Sequence, residues 1–375
     1  MPFKPRPDRR TFLKSSLATA AAASAWPGPG TSAAPPDPPS GPSRIKFAAI
    51  GLNHDHIKGQ VDAVTRGGGE LTSFFAKEDD LADAFAKRYP GAKRASSAQA
   101  ILEDPAIALV VSAAIPSDRA PLGIEVMRHG KDFMVDKPGM TTLAQLAEAR
   151  KVQAETKRIY SILYGERHEN TATIRAGDLV HAGAIGKVIQ TIGLGPHRMN
   201  APTRPAWFFE KDKYGGILTD IASHQFDQFL FFTGSTEARI VASQVGNVHH
   251  PQHHGLEDFG DVMLRGNGGA GYIRVDWFTP DGLNTWGDGR LTILGTHGFI
   301  EIRKNVDIGG RPGGSHLFLV DQKDTRYIDC SDVQLPYGTR LVDDVLNRTD
   351  TSMPQAHVFL AMQLALEAEA QAERL

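Results

Sequence analysis

The stretch IKFAAIGLNHDHIKGQVDAV, residues 45–64, decides the fold of this chain. It begins with an apolar run typical of a buried strand, turns at Gly51, and continues with apolar residues at the spacing of an α-helix. The same alternation follows, with strands predicted at ELTSFFA, ALVVSAAI and DFMVDKPG and helices at DLADAFAKRY and PLGIEVMRHG. This alternation predicts an α/β fold with a Rossmann-like, doubly wound parallel sheet. Ligands of such sheets bind beyond the carboxyl ends of the strands, where the strand order reverses.

The turn after the first strand, GLNHDH, is the predicted nucleotide site. A dinucleotide site usually reads GxGxxG, because its backbone turns tightly and approaches the pyrophosphate closely. Only the first glycine is present here, although Asn53 tolerates a left-handed conformation and free N–H groups at a helix start attract phosphate. We therefore expect Gly51, Asn53, His54 and His56 to contact the cofactor.

The end of the second strand ordinarily carries an acidic residue that holds the ribose hydroxyls. Ala76 falls at that position, and Lys77 and Glu78 follow it. Lys77 could favour the 2′-phosphate of NADP, and the equally good alternative is a solvated loop lysine. Four further cofactor contacts are predicted at the ends of the third and fourth strands, at Pro116, Ser117, Asp136 and Lys137.

Length and charge exclude several classes of protein. A chain of 375 residues is too long for one small core and predicts two domains after any leader. With 41 Lys and Arg against 43 Asp and Glu, it lacks the basic excess of a nucleic-acid or anionic-membrane binder. The single cysteine, Cys330, cannot form an internal disulfide and is interpreted as a small buried hydrophobe.

The N-terminal sequence predicts an export signal. Arg9 and Arg10 begin RRTFLK, which is followed by the apolar SSLATAAAASA and a Pro- and Gly-rich stretch. This resembles a twin-arginine (Tat) signal, which carries folded proteins across the bacterial inner membrane into the periplasm. Cleavage after Ala25, or after Ala33 or Ala34, would fit the small-residue rule. The apolar run is too short for a stable membrane span.

Three motifs in fixed order connect the chain to a known family. VDKPG ends a strand at Gly139, LVHAGAIGKVIQTIG begins at Leu179, and YGGILTDIASHQFDQFLFFTG runs from Tyr214 to Gly234. They resemble the EKP motif, the entry into the second domain and the GG-x-L-x-D-x-x-x-H-x-x-D helix of the Gfo/Idh/MocA family of sugar and inositol dehydrogenases. Asp136 stands in place of the usual Glu. The resemblance runs from about Ile45 to the C-terminus.

The resemblance implies a second domain built on a large open, mainly antiparallel sheet that binds substrate and mediates association. Short apolar or alternating runs such as RIVASQVGNV and GYIRVDWF, separated by Gly-rich turns, agree with it. We expect a leader and linker at residues 1–43, a Rossmann-like domain at 44–165 and an α+β domain at 166–375. The last segment, from Ala356 to Leu375, reads as an amphipathic helix. A sheet with one uncovered face predicts a homo-oligomer.

Lys137, Asp220 and His224 are the predicted catalytic residues. Asp220 and His224 lie four positions apart on a predicted helix, so their side chains share one face. Oxidation of a secondary alcohol needs a base for the hydroxyl proton as hydride leaves the same carbon, and a neutral histidine suits that role. Asp220 could orient the imidazole or bind a neighbouring hydroxyl. Lys137, which matches the lysine of the family motif, could bind the alcohol oxygen and relay its proton.

Further residues are candidates for substrate contact. Trp207 could stack on a sugar ring, and arginines and histidines could donate to hydroxyls or a carboxylate. The set consists of Arg167, His197, Arg198, Arg204, Trp207, Tyr214 and Asp227. A purely structural role is the alternative for each of them.

The histidine-rich run HHPQHH, residues 249–254, invites a metal interpretation, because imidazoles bind zinc and manganese. A run of this kind usually forms a solvated loop, and no metal is expected to bind it. The alternative is a mixed nitrogen and oxygen site built by this loop with Asp220 and His224.

Two functions from different classes remain open. The first is an exported NAD- or NADP-dependent oxidoreductase acting on a secondary hydroxyl of a sugar, glycoside or inositol, with a tightly bound cofactor loaded before export. The second is a redox-neutral or metal-assisted hydrolase, epimerase or lyase acting on glycosides, with retained NAD or none. A sugar-binding protein that kept the fold without the chemistry is a third possibility.

Overall fold

The computed structural model describes residues 43–375, so the predicted twin-arginine segment lies outside the described residues. The predicted fold class is confirmed, because the described chain contains a six-stranded parallel sheet and a nine-stranded, mostly antiparallel sheet. Among residues 43–375, no helix combines the length and apolar character needed to cross a bilayer.

The first sheet has the strand order 3-2-1-4-5-6 and reverses its order between β1 and β4. Its strands are β1 (Ile45–Ile50), β2 (Gly69–Phe75), β3 (Lys93–Arg94), β4 (Leu109–Ser112), β5 (Asp132–Asp136) and β6 (Tyr160–Leu163). Its helices are α1 (His56–Arg66), α2 (Asp79–Arg88), α3 (Ala98–Glu103), α4 (Pro116–Arg128) and α5 (Leu143–Thr156).

Strand β1 shows why this sheet is covered on both faces. Phe47 and Ala49 pack into one hydrophobic cluster, while Ala48 and Ile50 pack into another. Successive side chains of a strand point to opposite faces, so a continuous apolar run supplies two cores at once. This arrangement places the helices on both faces and leaves the carboxyl ends of the strands free for a site.

The second sheet runs in the order β14-β13-β12-β11-β7-β10-β9-β8-β15. Its strands are β7 (Val188–Pro196), β8 (Ala238–Gly246), β9 (Phe259–Gly266), β10 (Ala270–Asp276), β11 (Arg290–Gly295), β12 (Gly298–Arg303), β13 (His316–Asp321), β14 (Thr325–Ile328) and β15 (Glu373–Arg374). The helices of this part are α6 (Gly165–His168), α7 (Thr171–His181), α8 (Lys211–Tyr214), α9 (Ile217–Asp220), α10 (Ser223–Thr233), α11 (Tyr337–Asn347) and α12 (Gln355–Gln371), with 3₁₀ turns at Ala201–Thr203 and Ala206–Phe209.

One face of this sheet packs against helices and the other carries exposed apolar side chains. In β9, Val262 and Leu264 are buried while Met263 between them is exposed. Leu294 and Phe299 face each other across β11 and β12 and are also exposed. The uncovered face is the one on which association was predicted, and homo-oligomerisation stays a prediction.

The chain returns to the first sheet near its end, which the sequence patterns did not predict. Helix α11 packs against α1, and its Leu341 and Val342 share a hydrophobic cluster with Ile57. The approach is close, since a Cβ atom on Gly338 would lie 1.8 Å from the carbonyl oxygen of Ala63. Residues beyond 330 therefore help to support the helix that follows the nucleotide turn.

Candidate active site

The predicted catalytic residues Lys137 and Asp220 meet in the folded chain. Lys137 follows the last residue of β5 directly, and Asp220 ends helix α9. The ammonium Nζ of Lys137 lies 2.7 Å from Oδ1 of Asp220, and the two side chains are only 6% and 13% exposed. The peptide bond between Lys137 and Pro138 is cis. The structure thus places this ion pair at the carboxyl edge of the first sheet.

The Asp220–His224 segment is not one continuous helix as predicted. Helix α9 ends at Asp220 and α10 begins at Ser223, with Ile221 and Ala222 between them still in right-handed helical conformation. The Ser223 hydroxyl donates to the Asp220 carbonyl at 2.8 Å. A slight interruption between two short helices therefore separates the carboxylate from the imidazole.

His224 is a buried, neutral imidazole. Burial lowers its pKa to about 3, and the ammonium of Lys137 acts in the same direction while Glu166 opposes it. Its Nδ1 atom is buried without a hydrogen-bond partner, and the ring meets the edge of Tyr164 at 6.0 Å. A neutral imidazole with a free lone pair can accept a proton.

His197, predicted as a substrate contact, shares this environment. It follows strand β7, and its ring lies 5.4 Å from Trp277 and 4.7 Å from Trp286. Burial lowers its pKa to about 4, with a further lowering from the charge of Lys137. The charge of Lys137 thus acts on both His197 and His224, so the three side chains form one electrostatic unit.

Sequence reasoning missed a second buried ion pair, between Glu166 and Lys304. Glu166 also accepts hydrogen bonds from Gln225 at 2.9 Å and Gln228 at 3.2 Å. Burial alone would raise the pKa of Glu166, but Lys304 and His224 bring it down to about 2. The position of Glu166 just beyond strand β6 is the signal that could have found it, because ligands bind at strand ends.

Several predicted substrate contacts are engaged within the protein. Arg167 donates two bonds of 2.7 Å to the buried carboxylate of Asp227, which also meets Nε2 of His357 at 2.8 Å. The hydroxyl of Tyr214 donates to Gly255 and accepts from the backbone of Glu257.

Arg198, another predicted substrate contact, is also engaged within the protein. It donates to Asp281 and to the carbonyl oxygens of Pro280, Leu283 and Thr285. The roles of all these residues toward substrate stay predictions.

Trp207, a predicted substrate contact, lies near the nucleotide turn. It belongs to the turn Ala206–Phe209, and its ring lies 6.5 Å from the ring of His54. Arg204 packs its guanidinium over Phe208 at 4.6 Å and over Trp277 at 5.2 Å. The aromatic surface predicted for a sugar ring therefore adjoins the nucleotide turn.

The nucleotide turn retains one requirement of a dinucleotide site at Gly51. Its φ is +79°, and a Cβ atom there would lie 2.6 Å from Cβ of Ala114. The turn is pinned on both sides, since Gly51 donates to Phe75 and its carbonyl accepts from Ala113, each at 3.0 Å. Only glycine fits this position, as the tight turn of a dinucleotide site demands.

Two further features fit a nucleotide. Helix α1 begins at His56, so the positive end of its dipole lies at the turn, although the first N–H groups of the helix already donate to His54 and Asp55. Glu78 accepts a 2.8 Å bond from Asn53 of the turn, which places a carboxylate beside the site after β2. Lys77 is exposed, and the buried Pro116 opens α4 with Ser117 next to it. NAD or NADP would be held by the turn, the start of α1 and Glu78.

A compact cluster lies between the turn and β5. Nδ1 of His56 lies 2.9 Å from Oδ1 of Asp136, and Nδ1 of His54 lies 3.4 Å from Oδ2. Arg119 donates to the same Oδ2 at 3.0 Å. Burial would raise the pKa of Asp136, but His56 and Arg119 hold it well below its usual value. Burial and His56 lower the pKa of His54.

The structure does not bring the histidine-rich loop to Asp220 and His224. His250 binds the buried Asp258 at 2.8 Å, and the ring of His253 stacks on Phe209 at 3.8 Å. Within residues 43–375, the loop takes part in no group of three histidine, cysteine or carboxylate ligand atoms close enough to hold a metal ion. The loop histidines serve local contacts.

The sheet order and the nucleotide turn define a nucleotide-binding α/β fold, and the buried Lys137–Asp220 pair lies at its ligand-binding edge. The chain belongs to the Gfo/Idh/MocA family: residues 45–164 match the oxidoreductase family's NAD-binding Rossmann fold, and residues 173–301 match the GFO/IDH/MocA C-terminal domain. Residues 6–26 match the signal sequence of the twin-arginine translocation pathway. The predicted family and Tat signal are confirmed.

Individual relatives agree with this assignment. A protein of Erwinia carotovora atroseptica with a crystal structure is 44% identical to this chain in sequence. Its structure matches with a TM-score of 0.86, and the match covers 88% of this chain and 99% of the other. The levoglucosan dehydrogenase complex with NADH and levoglucosan shares the fold at 19% identity and TM-score 0.73, covering 87% and 96%. An NADP⁺-dependent scyllo-inositol 2-dehydrogenase of Bacillus subtilis is 25% identical over 48% of this chain and 51% of its own. The chain spans about half the length of the curated relatives it matches.

Proposed function

We propose that this protein is an exported NAD-dependent oxidoreductase that acts on a secondary hydroxyl of a sugar, glycoside or inositol. The observation that carries the proposal is the buried Lys137–Asp220 ion pair next to the neutral His224, at the carboxyl edge of a Rossmann sheet. The relatives that act on D-xylose, scyllo-inositol and levoglucosan support a polyhydroxylated substrate.

Lys137, Asp220 and His224 have separate roles in the oxidation of the alcohol. The ammonium of Lys137 donates to the reacting oxygen, while Asp220 holds that ammonium in place. His224 takes the hydroxyl proton on its imidazole, and negative charge developing on the oxygen raises its proton affinity as the reaction proceeds. A bound nicotinamide supplies the hydride acceptor. Tyr164 and the surrounding apolar residues keep water from this side of the site.

Glu78 supports NAD rather than NADP as the cofactor. Its carboxylate lies after β2, where the ribose hydroxyls of a dinucleotide bind, and it is anchored by Asn53. A carboxylate accepts hydrogen bonds from two hydroxyls but repels a 2′-phosphate. The proposal therefore assigns the choice of cofactor to Glu78 and not to Lys77, which the sequence suggested as a residue favouring a 2′-phosphate.

The twin-arginine signal supports a tightly held cofactor. Its pathway transports folded proteins, so a nucleotide loaded before transport can travel with the chain to the periplasm. The same signal favours a second candidate, a redox-neutral reaction in which retained NAD is reduced and reoxidised within one turnover. Substrate conversion without added cofactor and without accumulation of NADH would select that candidate.

The experiment uses the full chain purified from a host with a working twin-arginine pathway. Mass spectrometry of the denatured supernatant identifies the released nucleotide, and a panel of sugars, glycosides and inositols is then tested for formation of reduced nicotinamide. Lys137→Met should lower turnover by at least about 10²-fold, whereas Lys151→Met, which changes a lysine on the surface, should not. Absence of any nicotinamide, bound or bindable, would overturn the proposal.

A further inference from the structure

A cluster of His54, His56 and Asp136 lies beside Lys137 but has no role in the proposed proton transfer. Among the residues that the structure describes, it is the group of histidine and carboxylate side chains whose ligand atoms lie close enough to hold a metal ion, all within 4.8 Å of one another. The residues come from the turn after β1 and the end of β5, which the fold brings together across β4.

The distances match a metal polyhedron. A metal–ligand bond of about 2.1 Å places neighbouring ligand atoms roughly 3.0 Å apart in an octahedron and roughly 3.4 Å apart in a tetrahedron. Nδ1 of His56 lies 2.9 Å from Oδ1 of Asp136, in a hydrogen bond that an ion would replace, and Nδ1 of His54 lies 3.4 Å from Oδ2. The two rings stand nearly perpendicular, with their centroids 4.1 Å apart. Little movement separates this arrangement from coordination.

The hydrogen bonds around the cluster favour a cation. The backbone N–H of His56 points to Nδ1 of His54 at 3.3 Å, which makes that nitrogen an acceptor. The same nitrogen lies 3.4 Å from Oδ2 of Asp136, so two hydrogen-bond acceptors lie close together. A metal ion bound to Nδ1 of His54 and to the carboxylate of Asp136 replaces this repulsion with two bonds.

Arg119 supports the carboxylate from behind. It is almost fully buried and donates to Oδ2 of Asp136 and to the carbonyl oxygens of Asp136, Lys137 and Pro138. This network fixes the orientation of Asp136, as partners outside a coordination sphere commonly do for ligating carboxylates. Oδ1 is left for a metal, on the side of His56.

The sequence of the turn is consistent with a ligand-bearing loop. In the pattern GxGxxG, the third glycine falls at the position of His56, where a small residue ordinarily allows the helix to pack closely on the sheet. His56 instead extends from the start of α1 to the end of β5. Its side chain is 51% exposed, so an ion can reach the cluster from solvent.

We propose that His54, His56 and Asp136 form a binding site for one divalent transition-metal ion, such as Zn²⁺, Co²⁺, Fe²⁺ or Mn²⁺. Two imidazoles and one carboxylate select these ions over Mg²⁺ and Ca²⁺, which prefer oxygen ligands throughout. Three protein ligands leave coordination positions for water or a hydroxyl-bearing ligand. The site adjoins Trp207 and Lys137, whose charge acts on His54.

The test uses the full chain without a histidine tag, stripped with a chelator and free of nucleotide. Co²⁺ is titrated in and followed by its visible absorption, and Zn²⁺ binding is measured by calorimetry. We expect one equivalent of tight binding, no response to Mg²⁺, and loss of the site in His56→Gln and His54→Gln. The matched control is the double variant His249→Gln, His254→Gln in the exposed part of the histidine-rich loop, which should bind as the parent does.

Three results would overturn the proposal: no stoichiometric binding, unchanged binding in His56→Gln, or loss of binding in the loop control. His56 is half exposed, so its variant should fold even if the His54 variant does not, and circular dichroism checks this. The probe is the metal alone, so the outcome is independent of whether the protein oxidises a sugar.

Discussion

The ammonium of Lys137 and the carboxylate of Asp220 lie 2.7 Å apart although 83 positions separate them in the chain. The pair joins the end of β5 to the end of α9 and thereby connects the nucleotide-binding sheet to the helices that carry His224. Both side chains are almost buried, so each charge is compensated mainly by the other. This single contact positions the proposed catalytic groups relative to the nucleotide turn.

Replacing either member of this pair should remove activity. Lys137→Met and Asp220→Asn are each expected to lower kcat by about 10²- to 10⁴-fold, the usual contribution of a positioned proton-transfer group. Binding of the nucleotide, measured by fluorescence, should change much less. Equal losses in Lys151→Met, or a change confined to KM, would contradict the proposed roles.

The fall of kcat/KM at acidic pH should begin at an unusually low pH. A histidine with its ordinary pKa near 6.5 would lose its base form as pH falls through that value, whereas burial brings the pKa of His224 to about 3. The neutral form is therefore present at every pH above about 4. We expect kcat/KM to stay level from pH 7 down to about pH 5. A tenfold fall per pH unit beginning near 6.5 would show that the base titrates at the ordinary histidine value, which contradicts the lowered pKa of His224.

Removing the charge of Lys137 should raise the pKa of His224 and His197, because that ammonium lowers both. The ring resonances of the two histidines in Lys137→Met, followed by NMR across acidic pH, would show the shift toward higher pH. Lys151→Met should leave both titrations where they are. Unshifted resonances in Lys137→Met would mean that the three side chains are not electrostatically coupled.

Asp227 should be more important for stability than for substrate binding. Asp227→Ala leaves the guanidinium of Arg167, only 10% exposed, without its carboxylate and is expected to cost about 3–5 kcal/mol of unfolding free energy. Glu148→Ala, which breaks the exposed pairs with Arg128 and Lys151, should cost less than about 1 kcal/mol. Denaturant unfolding measures both. A stable Asp227→Ala protein with a raised KM would instead favour the sequence-based prediction of a substrate contact.

Glu78 should set the preference between the two nicotinamide dinucleotides. Glu78→Gln keeps an oxygen that can accept from Asn53 but removes the negative charge. The ratio of kcat/KM for NAD to that for NADP should fall, because the 2′-phosphate is no longer repelled. Lys77→Gln, in the neighbouring exposed position, serves as the comparison. A ratio that follows Lys77 and ignores Glu78 would reverse the assignment.

Local patterns were sufficient for the fold class. The alternation of apolar strands and amphipathic helices from Ile45 to Gly139 predicted the parallel sheet, and short runs between Gly-rich turns agreed with the second sheet. Strand and helix periodicities depend on neighbours a few residues away, so they are visible in the sequence. Boundaries were less accurate: α4 begins at Pro116 rather than at Pro121, and α11 was not predicted.

The candidate site was only partly predictable. Motifs pointed to Lys137, Asp220 and His224. The position of Glu166 after β6 was a usable signal, but nothing local indicated its pairing with Lys304, 138 positions away. The same holds for Arg167 and Asp227, whose engagement with each other depends on how α6 and α10 pack. Residue types suggest which chemistry a chain can perform, while distances between remote side chains follow from packing.

Periodicity, turn residues and ordered motifs thus specified a Rossmann sheet, a second, mainly antiparallel sheet and an N-terminal export signal. Tertiary packing decided which polar groups meet. It placed His54 and His56 against Asp136 and Arg119, tied Arg167 to Asp227, and buried His224 deeply enough to keep it neutral. The physical reason is that burial and electrostatic coupling act over a few ångströms in space, whatever the separation along the chain.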